Sequence, residues 1–153
     1  MPKVQRAILL SHTTADVWSV LSEFGNISAW GPNVDHSCII SDVARGVGAV
    51  RRVQTARTTV LETVTEWSDG DLLSYSIVGL PPVIRSVSNT WSLEPIHGGT
   101  NVRLTSDIRP GQRPPHRIAA AVVGRRLGSA SDQMLGGLSA FLNGRAAVTG
   151  DGE

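Results

Sequence analysis

The residue pattern changes period once, at Pro110, and that change decides what the chain can build. From Asn33 to Pro110, β-branched and alternating runs are separated by turn signals at Ala44-Arg45-Gly46, Asp69-Gly70, Gly79-Leu80-Pro81-Pro82 and His97-Gly98-Gly99. The spacing predicts six short antiparallel strands near residues 34–41, 48–56, 58–67, 71–78, 84–95 and 100–109. After a breaker-rich link from Gly111 to Pro115, helical spacing takes over from His116 to Asn143 without a proline. Ile118, Val122, Val123, Leu127, Ala130, Met134, Leu138 and Phe141 form one apolar stripe at three- and four-residue steps. About 28 residues at about 1.5 Å each span a whole domain, so this helix has to lie along the sheet.

The N-terminal part supplies the remaining elements. Val4 to Leu10 reads as an opening strand. Thr13 or Thr14 can cap a helix that carries Asp16 in its first turn and Val17, Val20, Leu21 and Phe24 on one face, with Gly25 as its stop. Asn26 to Trp30 has room for one or two further helical turns before Gly31-Pro32. The expected fold is therefore α+β: a seven-stranded curved antiparallel sheet around a long C-terminal helix, with two short helices between strands one and two. Residues 1–144 make one domain on this reading, and the patternless 145–153 stretch is expected to be a disordered tail.

Composition narrows the partners. With 14 basic residues against 13 acidic ones, the net charge of +1 provides no field that would draw the chain onto a nucleic-acid backbone. Cys38 is the only cysteine, which rules out an internal disulfide and a cysteine-based zinc site; a buried structural thiol is expected. The apolar run after Arg6 is only four residues long, Ala7 to Leu10, and no stretch approaches the roughly 20 that cross a membrane, so a cytoplasmic protein without membrane insertion is expected.

Alternation fixes which sheet face meets the helix. A turn near Ala56-Arg57 sets Arg51 opposite Glu62 and Val53 opposite Val60, while a two-residue Asp69-Gly70 turn sets Glu62 opposite Ile77 and Val64 opposite Tyr75. Ala49, Leu73, Trp91, Leu93, Val102 and Leu104 join that face, which is the core side. An arginine, a glutamate and a tyrosine on an apolar face need an explanation, because a buried charge is costly unless paired. Structurally, Arg51 and Glu62 form an ion pair that fixes register. Functionally, they anchor the polar head of a ligand whose body touches Trp30, Tyr75 and Trp91, with Met134 of the helix stripe in the same candidate set. The alternation leaves both readings open.

Other chemistry is absent from the pattern. Gly46-Val47-Gly48 lacks the third glycine and following helix of a dinucleotide site, His12, His36, His97 and His116 have no metal-like spacing, and no serine sits in a nucleophile elbow. No catalytic residue, cofactor or metal is expected. Gly124, Gly128, Gly136 and Gly137 each cost about 1 kcal/mol in a helix interior, which points to close helix-to-sheet approach or to unfilled volume beneath the helix, a cavity being the sharper expectation.

Several stretches in their order resemble one family: Val17-Trp18 through Trp30-Gly31-Pro32, Gly46-Val47-Gly48-Ala49-Val50-Arg51, Val60-Leu61-Glu62, Leu73-Ser74-Tyr75, and Thr90-Trp91-Ser92-Leu93-Glu94-Pro95 with Gly99-Thr100. They are similar to the polyketide cyclase/dehydrase and lipid-transport family of the START-like, or SRPBCC, superfamily, whose architecture is the helix-grip fold of the birch-pollen allergen. The resemblance covers about Val4 to Leu142. It implies a hydrophobic cavity between sheet and helix, reached near Gly31-Pro32 and Gly79-Leu80-Pro81-Pro82, with Arg51, Glu62 and Tyr75 at positions of the family pattern. Three functions follow as expectations: a binder or carrier of a small hydrophobic molecule such as a lipid, polyketide or isoprenoid; a polyketide cyclase or dehydratase using Arg51, Glu62 and Tyr75; and a protein-interaction module working through the outer sheet face.

Overall fold

The computed structural model describes residues 3–80, 84–110 and 116–151, without the side chains of 84, 85, 110, 116–124, 126, 127 and 146–151. Pro81, Pro82, the 111–115 link, Gly124 and the stripe side chains Ile118, Val122, Val123 and Leu127 thus lie outside the described residues.

The elements are β1 (Lys3–Leu10), α1 (Thr14–Leu21), a 3-10 segment (Phe24–Ala29), β2 (His36–Ile39), β3 (Val50–Gln54), β4 (Thr59–Ser68), β5 (Leu72–Val78), β6 (Ile84–Ile96), β7 (Gly99–Pro110) and α2 (His116–Asp151). The strands form one curved, open antiparallel sheet in the order β1-β7-β6-β5-β4-β3-β2, and α2 packs against it in the helix-grip arrangement. The core lies between them: Val53, Val64, Leu73, Trp91, Val102 and Leu104 from the sheet meet Leu135, Leu138 and Leu142 from α2.

Thr13 caps α1 by accepting the Asp16 N–H at 3.1 Å. The helix ends at Leu21, however, and Phe24 belongs to the 3-10 segment. Gly25 is not a stop signal. A Cβ there would stand 2.6 Å from Ile39 Cγ1, so the glycine lets β2 pack directly on the segment. Ser37 Oγ secures that contact by donating to the Gly25 carbonyl at 2.8 Å and accepting the Ser28 N–H at 3.0 Å.

The expected pairs Arg51–Glu62, Val53–Val60, Glu62–Ile77 and Val64–Tyr75 are all formed. The β4–β5 connection differs from the two-residue turn. Asp69, Gly70 and Asp71 all separate Ser68 from Leu72, and a bulge between Val64 and Glu66 absorbs the additional residue. Downstream of the bulge the inward positions shift by one, which brings Trp67 opposite Leu73 and edge-on to Trp18 at 5.2 Å. Strict alternation would have turned Trp67 outward.

Cys38 is exposed, contrary to the buried thiol expected. The four-residue edge strand β2 turns Ser37 and Ile39 inward and leaves the intervening Cys38 in solvent. A thiol reagent is expected to modify Cys38 completely in the folded protein without denaturant; protection until unfolding, read by intact mass, would contradict that placement.

Among the described side chains of α2, Ser131, Leu135, Leu138 and Leu142 are buried, with Met134 and Phe141 half-buried beside them. Gly128, Gly136 and Gly137 do not line the cavity. A Cβ at Gly137 would come within 2.7 Å of Pro32 Cδ and closer still to the Trp30 carbonyl oxygen, one at Gly128 would meet the Arg6 guanidinium, and one at Gly136 would meet nothing. α2 also continues to Asp151, past the expected end at Asn143, because the single Gly144 is followed by Arg145-Ala146-Ala147, all strong helix formers.

Candidate functional site: the cavity between sheet and helix

Between the concave sheet face and α2 lies a cavity of about 220 Å3. Its walls are mainly apolar, including Ile27, Val53, Val60, Ile77 and Leu104, and α2 contributes Ala130, Ser131 and Met134. Asn33 and Thr58 are the exposed lining residues, so the cavity reaches solvent between the loop after Trp30 and the β3–β4 turn. Leu80 lines it too, at the last described residue before 81–83.

Six polar side chains line this space from buried or half-buried positions: Thr55, Glu62, Tyr75, Asn89, Ser106 and Ser131. Three of them form a directed chain. Ser106 Oγ donates to Asn89 Oδ1 at 2.6 Å, which turns Asn89 Nδ2 toward the Tyr75 hydroxyl, 3.4 Å away. Trp91 Nε1 donates to the same hydroxyl at 3.2 Å. The phenolic oxygen thus accepts from two N–H groups, and its own proton has no acceptor among the described residues.

Burial raises the Tyr75 pKa above its ordinary 10.0; the Glu62 carboxylate adds to the rise, while Arg51, Trp91 and Asn89 oppose it. The group is therefore a neutral donor at physiological pH. Its stabilising share is fully present below the ordinary value of about 10 and is lost as the pH climbs through the higher folded value, because the unfolded chain releases this proton first. Tyr75 is the chain's only tyrosine, so phenolate absorbance reports it alone. Titration of the native protein is expected to lag that of the denatured protein on the alkaline side; coincident curves would refute the burial.

Arg51 is 3 % exposed and held from two sides. Its Nε donates to Glu62 Oε1 at 2.7 Å and its Nη1 to the Phe24 carbonyl at 2.8 Å. Its guanidinium carbon lies 3.9 Å from the Phe24 ring centroid and 4.7 Å from that of Tyr75. It does not line the cavity, so the guanidinium ties β3 and β4 to the 3-10 segment. Trp30 likewise stands behind the wall, edge-on to Trp91 at 5.7 Å. Its buried Nε1 has no partner among the described residues. Of the six residues singled out from the sequence, Glu62, Tyr75, Trp91 and Met134 border the cavity, while Arg51 and Trp30 support residues that do.

The family model for polyketide cyclase/dehydrase and lipid transport matches residues 1–142. The chain belongs to that family. Among solved structures, the Zhui aromatase/cyclase from a Streptomyces species superposes with a TM-score of 0.80 at 16% identity, over 95% of both chains. Ara h 8.0201 superposes with a TM-score of 0.70 at 15% identity, over 94% of this chain and 98% of its own. The di-domain ARO/CYC StfQ from the steffimycin biosynthetic pathway gives 0.76 at 16% identity, over 95% of this chain and 51% of the larger protein. At these identities the likeness establishes the fold. No curated protein matches the sequence. Among the described residues, no helix is long and apolar enough to cross a membrane.

For this member of the polyketide cyclase/dehydrase and lipid transport family, sequence reading missed Asn89 and Ser106. The signal was available: Asn89 lies two residues before Trp91 and Ser106 two beyond Leu104, so alternation places both polar groups on the core face.

Proposed function

We propose that the protein binds and carries a small, largely apolar molecule in the cavity between sheet and α2. The observation that carries this reading is the combination of mostly apolar walls with one directed polar cluster, Ser106–Asn89–Tyr75–Trp91, whose phenol proton has no acceptor among the described residues. Apolar surface supplies affinity in such sites and a few fixed polar groups supply orientation. Family membership and the aromatase/cyclase and allergen neighbours support the same assignment.

Trp91 lines the cavity and Trp30 packs on it, so occupancy is expected to quench tryptophan emission. Organic extraction of freshly purified protein followed by mass spectrometry is expected to release a bound small molecule. Ser131→Phe, which projects a ring from α2 into the space, is expected to abolish both the extracted compound and the quenching; full retention of both would place the ligand elsewhere and end this reading.

A second reading, catalysis of a keto–enol proton transfer or dehydration, is favoured by Glu62 and Tyr75 bordering the same cavity. Arg51 does not line the cavity, so on this reading Glu62 and Tyr75 are the groups that meet the substrate. On that reading Glu62→Gln abolishes turnover and preserves binding; unchanged turnover removes it.

A further inference from the structure

Resting on the ligand-binding reading, we infer that the cavity selects a neutral molecule of one or two fused rings, offering an acceptor to the Tyr75 hydroxyl and a donor to the Glu62 carboxylate, over carboxylates and long acyl chains.

Size is the first argument. At about 220 Å3 the cavity lies below the roughly 300–1,000 Å3 typical of pockets for drug-sized ligands. A fused bicycle can lie wholly inside such a space, whereas a fatty acyl chain or an extended poly-ketone would leave part of its length in the mouth, in contact with water. The aromatic side chains of Tyr75 and Trp91 in the lining give a flat ring apolar surface to pack against.

Charge is the second. Among the described residues Glu62 is the only charged one lining the cavity, and the nearby cation stands behind the wall: Arg51 does not line the space and has its Nε on Glu62 Oε1 and its Nη1 on the Phe24 carbonyl. A ligand carboxylate would enter beside Glu62 with no cation in the wall to receive it, which is costly at a desolvated site. Lysine or arginine in the lining would argue the opposite.

Hydrogen-bond valence is the third. The Tyr75 oxygen has both acceptor positions taken, by Trp91 Nε1 and Asn89 Nδ2, so it can act toward a ligand only as a donor. An ionised Glu62 can act only as an acceptor, and only its Oε1 is engaged by a described partner. Glu62 and Tyr75 are diagonal neighbours across β4 and β5, so their backbones stand roughly 7–8 Å apart on one face. The complementary ligand therefore carries a carbonyl or ether oxygen on one side and a hydroxyl or N–H on the other.

The test is a titration of tryptophan quenching, checked by calorimetry, with five probes: a hydroxytetralone bearing phenol and ketone on opposite rings, its methyl ether, the parent hydrocarbon tetralin, naphthoate and oleate. The hydroxytetralone is expected to bind at least tenfold more tightly than tetralin, naphthoate or oleate, with the methyl ether between. In Tyr75→Phe the advantage of hydroxytetralone over tetralin is expected to shrink severalfold. Ser106→Ala, which frees the Asn89 amide without touching the phenol, should shrink it less and serves if the tyrosine variant fails to fold. Oleate or naphthoate binding as tightly as hydroxytetralone, or an advantage unchanged in both variants, overturns the selectivity and leaves the cavity as a binding site. No binding by any probe, tetralin included, overturns the ligand-binding reading as well.

Discussion

Glu62→Leu is expected to destabilise the protein by about 3–5 kcal/mol, and adding Arg51→Met to the same chain to recover most of that loss. Both side chains are almost fully buried, at 3 % and 7 % exposure, so solvent does little to screen the pair. Removing the carboxylate leaves the buried guanidinium with the Phe24 carbonyl and two aromatic rings but no counter-charge. Replacing both partners by apolar groups removes the charge and its desolvation cost together. Urea denaturation of the wild type, the two single variants and the double variant forms a closed cycle that isolates the interaction. Additive single effects would show that Arg51 and Glu62 contribute independently and that the guanidinium is not a tie between strands and 3-10 segment.

The second large effect lies on α2, where adjacent glycines are expected to respond with opposite signs. Gly136→Ala places a methyl in open space and should stabilise by roughly 1 kcal/mol through helix propensity alone. Gly137→Ala gains the same propensity but drives its methyl into Pro32 and the Trp30 carbonyl. Neither neighbour can swing aside as a long side chain would, so a net loss of about 1–3 kcal/mol is expected as the helix lifts from the turn. Because that turn borders the cavity through Asn33 and Val34, ligand affinity should fall in Gly137→Ala and stay unchanged in Gly136→Ala. Equal midpoints for the two variants in thermal unfolding would mean that α2 does not rest on the Trp30–Pro32 turn.

The sheet was legible in the sequence because alternation and tight turns carry register. Arg51–Glu62 and Val64–Tyr75 follow from residue counting alone. The β4–β5 pairing came out right through two compensating departures, a longer turn and a bulge, and only Trp67 exposes the difference. The helical stripe was less legible. Several apolar residues of α2 compete for the core side, and Leu135 and Leu142 prevail over Met134 and Phe141 by where the helix rests on the sheet. Tertiary contact also explains Gly25 and Gly137, whose roles depend on Ile39 and Pro32, residues distant in the chain. In the candidate site, the polar residues on β4 and β5 were found because charge on an apolar face attracts notice. Asn89 and Ser106 went unnoticed because small polar residues on a strand look unremarkable until their hydrogen bonds are traced.

The strand order has a kinetic consequence. β1 pairs only with β7, and the residues they bring together, such as Lys3 and Asp107, lie at opposite ends of the sheet-forming sequence. On the ribosome the first strand made therefore waits, unpaired, until the last has emerged, while the hairpins from β2 to β7 zip locally. Joining distant segments carries a large loop-closure entropy and sets the pace of folding. The N-terminal strand therefore joins the sheet only after β3 to β7, which supply the sheet wall of the cavity, can already have paired.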